Sequence, residues 1–419
     1  MSTFRRSCSG LGLALLALGG AAAVEPVELY RMIDARLELM DEVAASKWHA
    51  DLPIEDLERE ALVLDRAAAD ALRYGFTRDS SRRLFAAQIE AAKAIQRHWF
   101  GVWAAGPGPR TTADLDATVR PQLLRLGEAI LAAAARQAAP SAEAFAAAVD
   151  VEGLGPANRD ALFQALQGLE RYPHRLAQIL DSRVLRVGTT GDYAPFSHRE
   201  DGSADFVGID IDLARTLAAA LGVEALFVAT AWPTLMADLD AGRFDIGMSG
   251  ISRTLARQRD GFLSQPYHVG GKTPIARCDA AAGFASLGAI DRPGVRVVVN
   301  PGGTNERFVD ANLGHAQKLL HPDNRSIFAV LIEGGADVMI TDRIEVELQT
   351  SRHPELCATM AGNLTYQEKG YLMPQDPVWQ AFVDTWLSLA VADGTVARTF
   401  QAHGVAPPNP TRPEESNSP

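Results

Sequence analysis

The spacing of apolar residues changes near residue 180, and this change divides the chain into two kinds of structure. Up to Tyr172 the apolar positions recur at helical spacing, beginning with Leu29, Ile33, Leu37, Met40 and Ala44. Further Ala- and Leu-rich helices are expected at Glu58–Leu72, Leu84–Trp99 and Leu123–Ala138. Breaks fall at Leu52-Pro53, Gly75 and the Gly- and Pro-rich stretch 106–109. These patterns predict an all-helical domain without strands.

Beyond Leu185 short β-rich runs alternate with helical or turn-forming segments. The predicted strands are Leu185–Thr189, Val223–Thr230, Val295–Asn300 and Ala336–Thr341. A helix is expected between the first two, over Ile211–Leu221. Strands alternating with helices are typical of an open α/β sheet. The fold class is therefore multidomain, with an all-α domain followed by an α/β domain.

Length and charge restrict the function. A chain of 419 residues exceeds what one hydrophobic core usually covers, so two domains are expected. A formal net charge of −12 argues against nucleic acid or an anionic membrane as a partner. The sequence contains no HExxH, CxxC or Walker-type motif, and we expect neither a metal nor a cofactor.

The first residues have the pattern of a signal peptide. Arg5 and Arg6 precede the apolar run Leu11–Leu18, and Ala21-Ala22-Ala23 fits a cleavage site. The run is too short for a membrane anchor, which needs about 20 residues. We expect cleavage after Ala23 and a soluble periplasmic protein. In that oxidising compartment Cys278 and Cys357 can form a disulfide or stay as buried thiols.

Polar side chains capable of binding a small anion are spread over the predicted helices. They are Arg36 and Lys47 on the first helix, Asp56, Arg59 and Glu60 on the second, Gln88 and Gln96 on the third, and Arg120 at the start of a fourth. On one continuous helix, Arg36 and Lys47 would leave the same face roughly 16 Å apart. Each charge taken alone is typical of a solvated surface, but the set as a whole points to a binding site.

The run RLELMDEVAASKWHADLPIEDLERE, followed by QIEAAKAIQ, resembles the all-helical chorismate mutases, most closely the secreted class. The resemblance covers nearly all of residues 25 to 172. It implies that Arg36 and Arg59 bind the carboxylates of the substrate. Lys47 and Gln96 would donate to its ether oxygen, and Glu60 would accept a hydrogen bond from its hydroxyl. Asp56 belongs to the same substrate-binding motif, and Arg120 adds a cation. Unlike many members of the secreted class, this domain has no cysteine.

These residue types suit a pericyclic rearrangement of a dicarboxylate, which needs no nucleophile and no base. Negative charge develops on the ether oxygen as its bond breaks. Fixed cations and a neutral donor stabilise that charge more in the transition state than in the ground state.

The run LRVGTTGDYAPFSHREDGSADFVGIDIDLARTLAAALG, with FDIGMSGISRTLARQRD, resembles the periplasmic amino-acid-binding proteins, in which two α/β lobes close on a ligand. The resemblance implies that Arg257 clamps a carboxylate, with Ser252 and Thr304 as further contacts. The turn Asn300–Glu306 offers backbone N–H groups to an anion. Binders of this family usually place an aspartate where this chain has Thr190.

The segments TTGDYAPFS, ATAWPTLM, GGKTPI, NPGGTNE and ITDRIE together resemble the periplasmic cyclohexadienyl dehydratases, over residues 175 to 404. Dehydration of prephenate requires an acid that keeps its proton near neutral pH. The resemblance assigns that role to Glu345. Asp342 and Asp192 are expected to tune or orient this acid. Trp232 is expected to cover the substrate ring, and Asn305, Lys272 and Thr190 are expected to be further contacts to the substrate.

The expected organisation is a signal peptide at 1–23, a chorismate mutase domain at 24–172, a two-lobed cyclohexadienyl dehydratase domain at 173–404 and a disordered tail at 405–419. The expected function is conversion of chorismate to prephenate and of prephenate to phenylpyruvate. The resemblance implies that arogenate is also a substrate, and we expect a homo-oligomer. The alternative is a mutase fused to a non-catalytic solute-binding domain for prephenate or an amino acid.

Overall fold

The computed structural model describes residues 26–110, 113–136, 140–200 and 202–408. The expected signal peptide, Cys8 and most of the expected tail lie outside these residues. The chain divides into two compact units, Met1–Tyr74 with Asp79–Leu169, and Gly75–Arg78 with Glu170–Pro419. No helix within the described residues has the length and apolar character needed to cross a membrane.

The first unit is helical. Its helices are α1 Pro26–Glu38, α2 Met40–His49, α3 Leu57–Ala71, α4 Arg78–Ala104, α5 Arg120–Ala134, α6 Ala142–Ala148 and α7 Pro156–Gln167, with a 3₁₀ turn at Leu72–Tyr74 and a π-helical turn at Leu115–Val119. The apolar positions from which the first helix was predicted are all buried, since Leu29, Ile33, Leu37 and Ala44 have no exposed surface and Met40 is 3% exposed. The predicted helical class is confirmed.

One detail of the first helix was wrong. Arg36 and Lys47 do not share a continuous helix, because α1 ends at Glu38 and α2 begins at Met40. Leu39 between them has φ −64° and ψ −5°, and this ψ departs from the value near −42° of a regular α-helix. The single-axis separation of roughly 16 Å therefore does not describe their relation.

The second unit alternates strands and helices, as predicted. Its strands are β1 Val184–Thr189, β2 Asp192–Tyr193, β3 Ser197–His198, β4 Glu224–Ala229, β5 Ile246–Gly247, β6 Phe262–Leu263, β7 His268–Gly270, β8 Lys272–Arg277, β9 Arg296–Val299, β10 Gln317–Leu320, β11 Val338–Asp342, β12 Leu356–Ala358, β13 Gln367–Lys369 and β14 Leu372–Met373. Its helices are α8 Arg175–Ser182, α9 Ile209–Leu221, α10 Leu235–Asp240, α11 Leu255–Asp260, α12 Leu287–Ile290, α13 Thr304–Asn312, α14 Ile327–Ile332, α15 Arg343–Arg352, α16 Pro377–Ala392 and α17 Thr395–Ala402, with a 3₁₀ turn at Ala281–Phe284.

These strands form two five-stranded sheets, which define two lobes. The first sheet has the order β4-β1-β5-β14-β6 and the second has the order β10-β9-β11-β8-β12. Each sheet is parallel at one edge and antiparallel at the other. The chain passes from the first lobe to the second through β7 and returns through β13, and these two strands pair antiparallel. The cleft between the lobes is consequently bordered by loops from both sheets.

A disulfide joins Cys278 to Cys357, whose Cα atoms are 4.8 Å apart. It ties the end of β8 to the edge strand β12 and closes a loop of 79 residues.

Replacing both cysteines with serine should lower the free energy of unfolding of this unit by roughly 4 kcal/mol, because the unfolded chain regains the entropy of a long loop. Urea unfolding monitored by tryptophan fluorescence would measure the change. Wild-type protein treated with reductant is the matched control, and it should unfold like the double variant. Equal midpoints for oxidised wild type and variant would contradict the prediction.

Candidate active sites

The first candidate site is a cavity of about 160 Å³ inside the helical unit. Helices α1 to α5 all contribute to its wall. Its polar lining consists of Arg36, Lys47, Asp56, Arg59, Glu60, Arg66, Asp70, Lys93, Gln96, Arg120 and Glu128. The seven residues that the resemblance assigns to the mutase site all line this one cavity, whereas Gln88 does not.

Arg36 is a deeply buried cation of this cavity, at 7% exposure. Its guanidinium lies 5.7 Å from the centroid of the Phe85 ring, and its Nε has no hydrogen-bond partner among the described residues. Burial lowers the pKa of Arg36 to about 10. A buried cation without a carboxylate partner is costly, and an anionic ligand would remove that cost.

Lys47 and Gln96 present donors to the same space. Lys47 Nζ donates to the carbonyl of Ile54 at 2.6 Å. Burial lowers the pKa of Lys47, whereas the charges of Asp56 and Glu60 act in the opposite direction. Gln96 is 4% exposed, and its Nε2 donates to the Ala92 carbonyl at 3.2 Å. The same Nε2 also donates to Met40 Sδ at 3.9 Å, and because sulfur is a weak acceptor a ligand oxygen can replace it.

Lys93 also lines this cavity and was not predicted. Its Nζ lies 2.6 Å from Glu90, 3.2 Å from Glu60 and 3.9 Å from Glu55. The bond to Glu90 is the main reason that the pKa of Lys93 is raised. The sequence feature that could have identified Lys93 is its position three residues before Gln96, because side chains at that spacing lie on one helix face.

Two predicted residues have structural partners of their own. The Asp56 carboxylate caps α3 by accepting from the backbone N–H of Arg59 at 3.0 Å, as expected for a helix N-cap. Arg120, at the start of α5, pairs with Asp116 in the preceding turn. Arg59 lines the cavity and is partly buried.

The second candidate site lies between the two lobes of the α/β unit. Its lining consists of Tyr193, Trp232, Gly250, Ser252, Arg257, Asn300, Gly303, Thr304, Asn305, Asn324, Asp342, Glu345 and Lys369. The enclosed volume is about 30 Å³, far below the roughly 300 Å³ or more of a typical small-molecule site. The lobes are therefore closed, and a substrate enters only when they separate.

Arg257 stands in this cleft as a buried cation at 5% exposure. Its side chain donates to the backbone carbonyl of Ser252 at 2.8 Å and lies 6.0 Å from the Trp232 ring centroid. Thr254 caps α11 by accepting from the Arg257 backbone N–H, which orients the first turn of that helix. Burial lowers the pKa of Arg257 to about 10. The arrangement suits a carboxylate beside an aromatic face.

Asp342 is held as an anion by two lysines. Lys272 Nζ lies 3.1 Å from Asp342 Oδ1, Lys369 Nζ lies 2.5 Å from Oδ2, and the Tyr193 hydroxyl also donates to Oδ2. Burial alone would raise the pKa of Asp342, but the two lysine charges hold it well below its ordinary range. Lys272 does not line the cavity. It lies behind it and reaches Thr304, Asn305 and Asp342.

Glu345 is the protonated counterpart of Asp342. It follows β11 in the first turn of α15, is 2% exposed, and accepts a hydrogen bond from Thr341. Burial raises the pKa of Glu345 to about 8, and the charge of Asp342 acts in the same direction. Two adjacent acids thus have opposite ionisation at neutral pH, which is the pattern of an acid paired with a fixed anion.

Comparison with known families gives a match for each of the two units. Residues 185–405 match the bacterial extracellular solute-binding proteins, family 3, and residues 27–97 match chorismate mutase type II. The chain belongs to the family 3 solute-binding proteins. This membership covers the unit that contains Arg257 and Glu345, whereas the type II mutase match covers α1 to most of α4.

Within family 3, the chain is 48% identical over 239 residues to the cyclohexadienyl dehydratase of Pseudomonas aeruginosa, covering 57% of this chain and 88% of that protein. It therefore belongs with the cyclohexadienyl dehydratases. It is 38% identical over 117 residues to the secreted chorismate mutase of Mycobacterium tuberculosis, covering 26% of this chain and 59% of that protein. Among solved structures, the chain resembles the ancestral amino-acid-binding protein AncCDT-1, a precursor of cyclohexadienyl dehydratase. The two share 32% sequence identity and superpose with a TM-score of 0.51, over 54% of this chain and 98% of that one.

Besides Lys272, two more residues predicted for the cleft of this family 3 unit do not line it. Thr190 is bonded to Ser249 through its N–H at 3.1 Å and its hydroxyl at 2.8 Å. Asp192 lies behind the cleft, where it accepts from Trp232 Nε1 at 3.1 Å. Because neighbouring side chains of a strand point to opposite faces, Tyr193 faces the cleft and Asp192 faces away.

Proposed function

We propose that the chain is a bifunctional enzyme of phenylalanine biosynthesis, with a mutase at 24–172 and a dehydratase at 173–404. The mutase converts chorismate to prephenate and the dehydratase converts prephenate to phenylpyruvate. The second assignment is carried by the lining of one cleft, which combines buried Arg257 with buried Glu345, whose pKa is raised to about 8. The convergence of the predicted cationic set on one cavity supports the first.

In the mutase cavity, Arg36 and Arg59 hold the two carboxylates of chorismate and fold it into its reactive shape. Lys47 and Gln96 donate to the ether oxygen as negative charge develops on it. Glu60, already bonded to Lys93 at 3.2 Å, orients the substrate hydroxyl. The rearrangement moves electrons within one molecule and consumes no proton.

In the dehydratase cleft, Arg257, Ser252 and Thr304 hold a carboxylate of prephenate, and Trp232 covers the ring. Glu345 gives its proton to the ring hydroxyl, which leaves as water. The carbon–carboxylate bond breaks in the same process, and its electron pair completes the aromatic ring. Prephenate and one proton thus yield phenylpyruvate, carbon dioxide and water.

Further proposals follow from the same assignment. Arogenate, which differs from prephenate in its side chain, is proposed as a second substrate of the cleft. The protein is proposed to act in the periplasm after removal of residues 1–23, and to assemble as a homo-oligomer.

Incubation of the purified protein with chorismate, and separately with prephenate, tests the proposal. In the first reaction chorismate absorbance should disappear. Phenylpyruvate should accumulate in both reactions. Calorimetric binding of prephenate without phenylpyruvate release would instead favour a fused solute-binding domain, whose two-lobed fold this unit shares.

The pH profile of the dehydratase should follow Glu345. Because burial raises its pKa to about 8, the acid is protonated throughout the range below that value. We expect kcat/KM for prephenate to be flat from pH 6 to 7.5 and to fall about tenfold per pH unit well above pH 8. An ordinary glutamic acid would lose activity from about pH 4.5 upward, so a decline beginning near pH 5 would contradict the assignment.

Gln96→Glu should make the mutase pH-dependent. The neutral amide donates at any ordinary pH, whereas a glutamate donates only when protonated. The wild-type mutase should be nearly flat from about pH 5 to 8, and the variant should fall about tenfold per pH unit above its apparent pKa. Continuous chorismate assays at several pH values measure both profiles. A variant as flat as wild type would mean that Gln96 does not contact the ether oxygen.

A further inference from the structure

Glu345 lies in the wall between two different cavities. One side faces the closed cleft, and the other faces a separate cavity of about 310 Å³. Asn324 is the other residue that lines both. The second cavity opens to solvent, because Glu200 and Arg352 on its wall are exposed.

The proposed reaction requires Glu345 to be reprotonated after each turnover, and the closed cleft provides no route for that proton. Each turnover removes the proton of Glu345 and leaves a carboxylate beside the anionic Asp342. In the closed state the cleft encloses only about 30 Å³, so bulk water does not reach Glu345 from that side. Glu345 must regain a proton before the next prephenate can react.

The second cavity contains groups suited to that task. His198 is half-buried on its wall, and its Nδ1 is buried without a hydrogen-bond partner among the described residues. Asp192, which the sequence assigned to the cleft, lines the same cavity. An imidazole can take a proton on one nitrogen and release another from the second, which makes histidine a common proton shuttle.

Charged groups from several elements face His198. They are Arg199 and Glu200 beyond β3, Asp192 on β2, Arg325 before α14, Glu345 and Arg352 on α15, and His403 after α17. Burial is the main cause that lowers the pKa of His198, and Arg352 and His403 act in the same direction while Glu200 opposes them. The lowered pKa keeps the imidazole of His198 neutral within its ordinary titration range, so it relays a proton by taking one on one nitrogen as it releases another from the second.

We propose that His198 returns protons from solvent to Glu345 through the second cavity between turnovers. The inference rests on the proposed dehydratase function. It makes His198 a relay that never contacts the substrate.

Direct protonation by hydronium is slow enough near neutral pH for such a relay to matter. Even at a diffusion-limited rate constant of about 10¹⁰ M⁻¹s⁻¹, hydronium supplies on the order of 10² protons per second at pH 7.5 to 8. A recessed carboxylate receives fewer, and since enzyme turnover numbers range from about 1 to 10³ s⁻¹, this supply limits the faster part of that range.

The relay acts after the irreversible loss of carbon dioxide, so its removal should affect kcat and leave kcat/KM unchanged. With His198→Ala at pH 7.5, rapid-quench measurements should show one equivalent of phenylpyruvate per site formed at the wild-type rate. Steady-state turnover should then be roughly tenfold slower than wild type. Millimolar imidazole should restore it, and the defect should shrink at pH 6, where hydronium is more abundant.

Two further variants distinguish a relay from a structural role. His198→Gln keeps a polar side chain of similar size, and it should show the same slow steady state without imidazole rescue, because the space stays filled. His315→Ala removes an exposed histidine that is bonded to Asp291 and does not line the cavity, and its kinetics should be those of wild type.

Wild-type kcat in both His198 variants would overturn the relay and mean that Glu345 is reloaded when the lobes open. A parallel fall of kcat and kcat/KM, or a lack of imidazole rescue in His198→Ala, would also overturn it. Failure of the wild-type protein to form phenylpyruvate would reject the dehydratase function itself, which is a separate result.

Discussion

Glu345→Gln should lower kcat for prephenate dehydration by about 10³-fold, within the range of general acid catalysis, while prephenate binding stays within a few-fold of wild type. Glutamine has nearly the same shape and can still bond to Thr341, but it has no proton to give. Phenylpyruvate release measures the chemistry, and calorimetric titration measures the binding. Chorismate mutase activity should be unchanged.

Glu347→Gln is the matched control, because Glu347 is an exposed acid on the same helix. This variant should keep wild-type dehydration at every pH. Turnover near normal in Glu345→Gln would assign the acid role to another group. Asp192, an acid that the sequence analysis grouped with the neighbours of Glu345, lies outside the cleft lining, so it could take that role only in a different arrangement of the lobes.

Arg36→Met should have opposite effects on activity and stability. Its guanidinium is buried without a carboxylate partner among the described residues, so a methionine of similar length removes a desolvated charge from the helical unit. Replacement of buried charges by apolar side chains is often neutral or stabilising. The thermal midpoint of this unit should therefore stay equal or rise. Mutase kcat/KM should fall by about 10²- to 10³-fold, as expected when a substrate carboxylate is left unpaired.

Arg31→Met provides the control for Arg36→Met, because Arg31 is an exposed arginine on the same helix. It should change neither the mutase rate nor the thermal midpoint. Prephenate dehydration should be intact in both variants, since the two sites lie in different units. Calorimetry together with the two activity assays measures all three quantities. A marked loss of stability in Arg36→Met, or near-normal mutase activity, would show that Arg36 has a packing role instead.

The sequence determined the features that depend on local periodicity and on motifs. Burial of Leu29, Ile33 and Leu37 followed from their spacing, because a helical side chain faces the core at intervals of three or four residues. The strand at Val184–Thr189 was predicted to within one residue. The resemblance of Glu345 and Arg257 to known motifs placed both in the cleft, where the structure has them.

Only the tertiary structure decided how the polar groups are paired. Asp342 bonds to Tyr193 across 149 residues and to Lys272 across 70 residues, and no local pattern encodes such contacts. Lys93 likewise joined the mutase cavity through neighbours on another helix. Strand alternation turned Tyr193 into the cleft and Asp192 out of it, which a two-residue strand is too short to reveal in the sequence.

The sequence by itself thus determined the two units and most of their elements, and it singled out Glu345 as the candidate acid. The acidity of Glu345 was decided by the fold, because a carboxyl group keeps its proton near pH 8 only when other chain segments exclude water from it. The existence of a second cavity behind that acid was decided in the same way. A cavity is bounded by residues distant in the chain, such as His198, Asn324 and Gln349, and its shape depends on packing and not on local sequence.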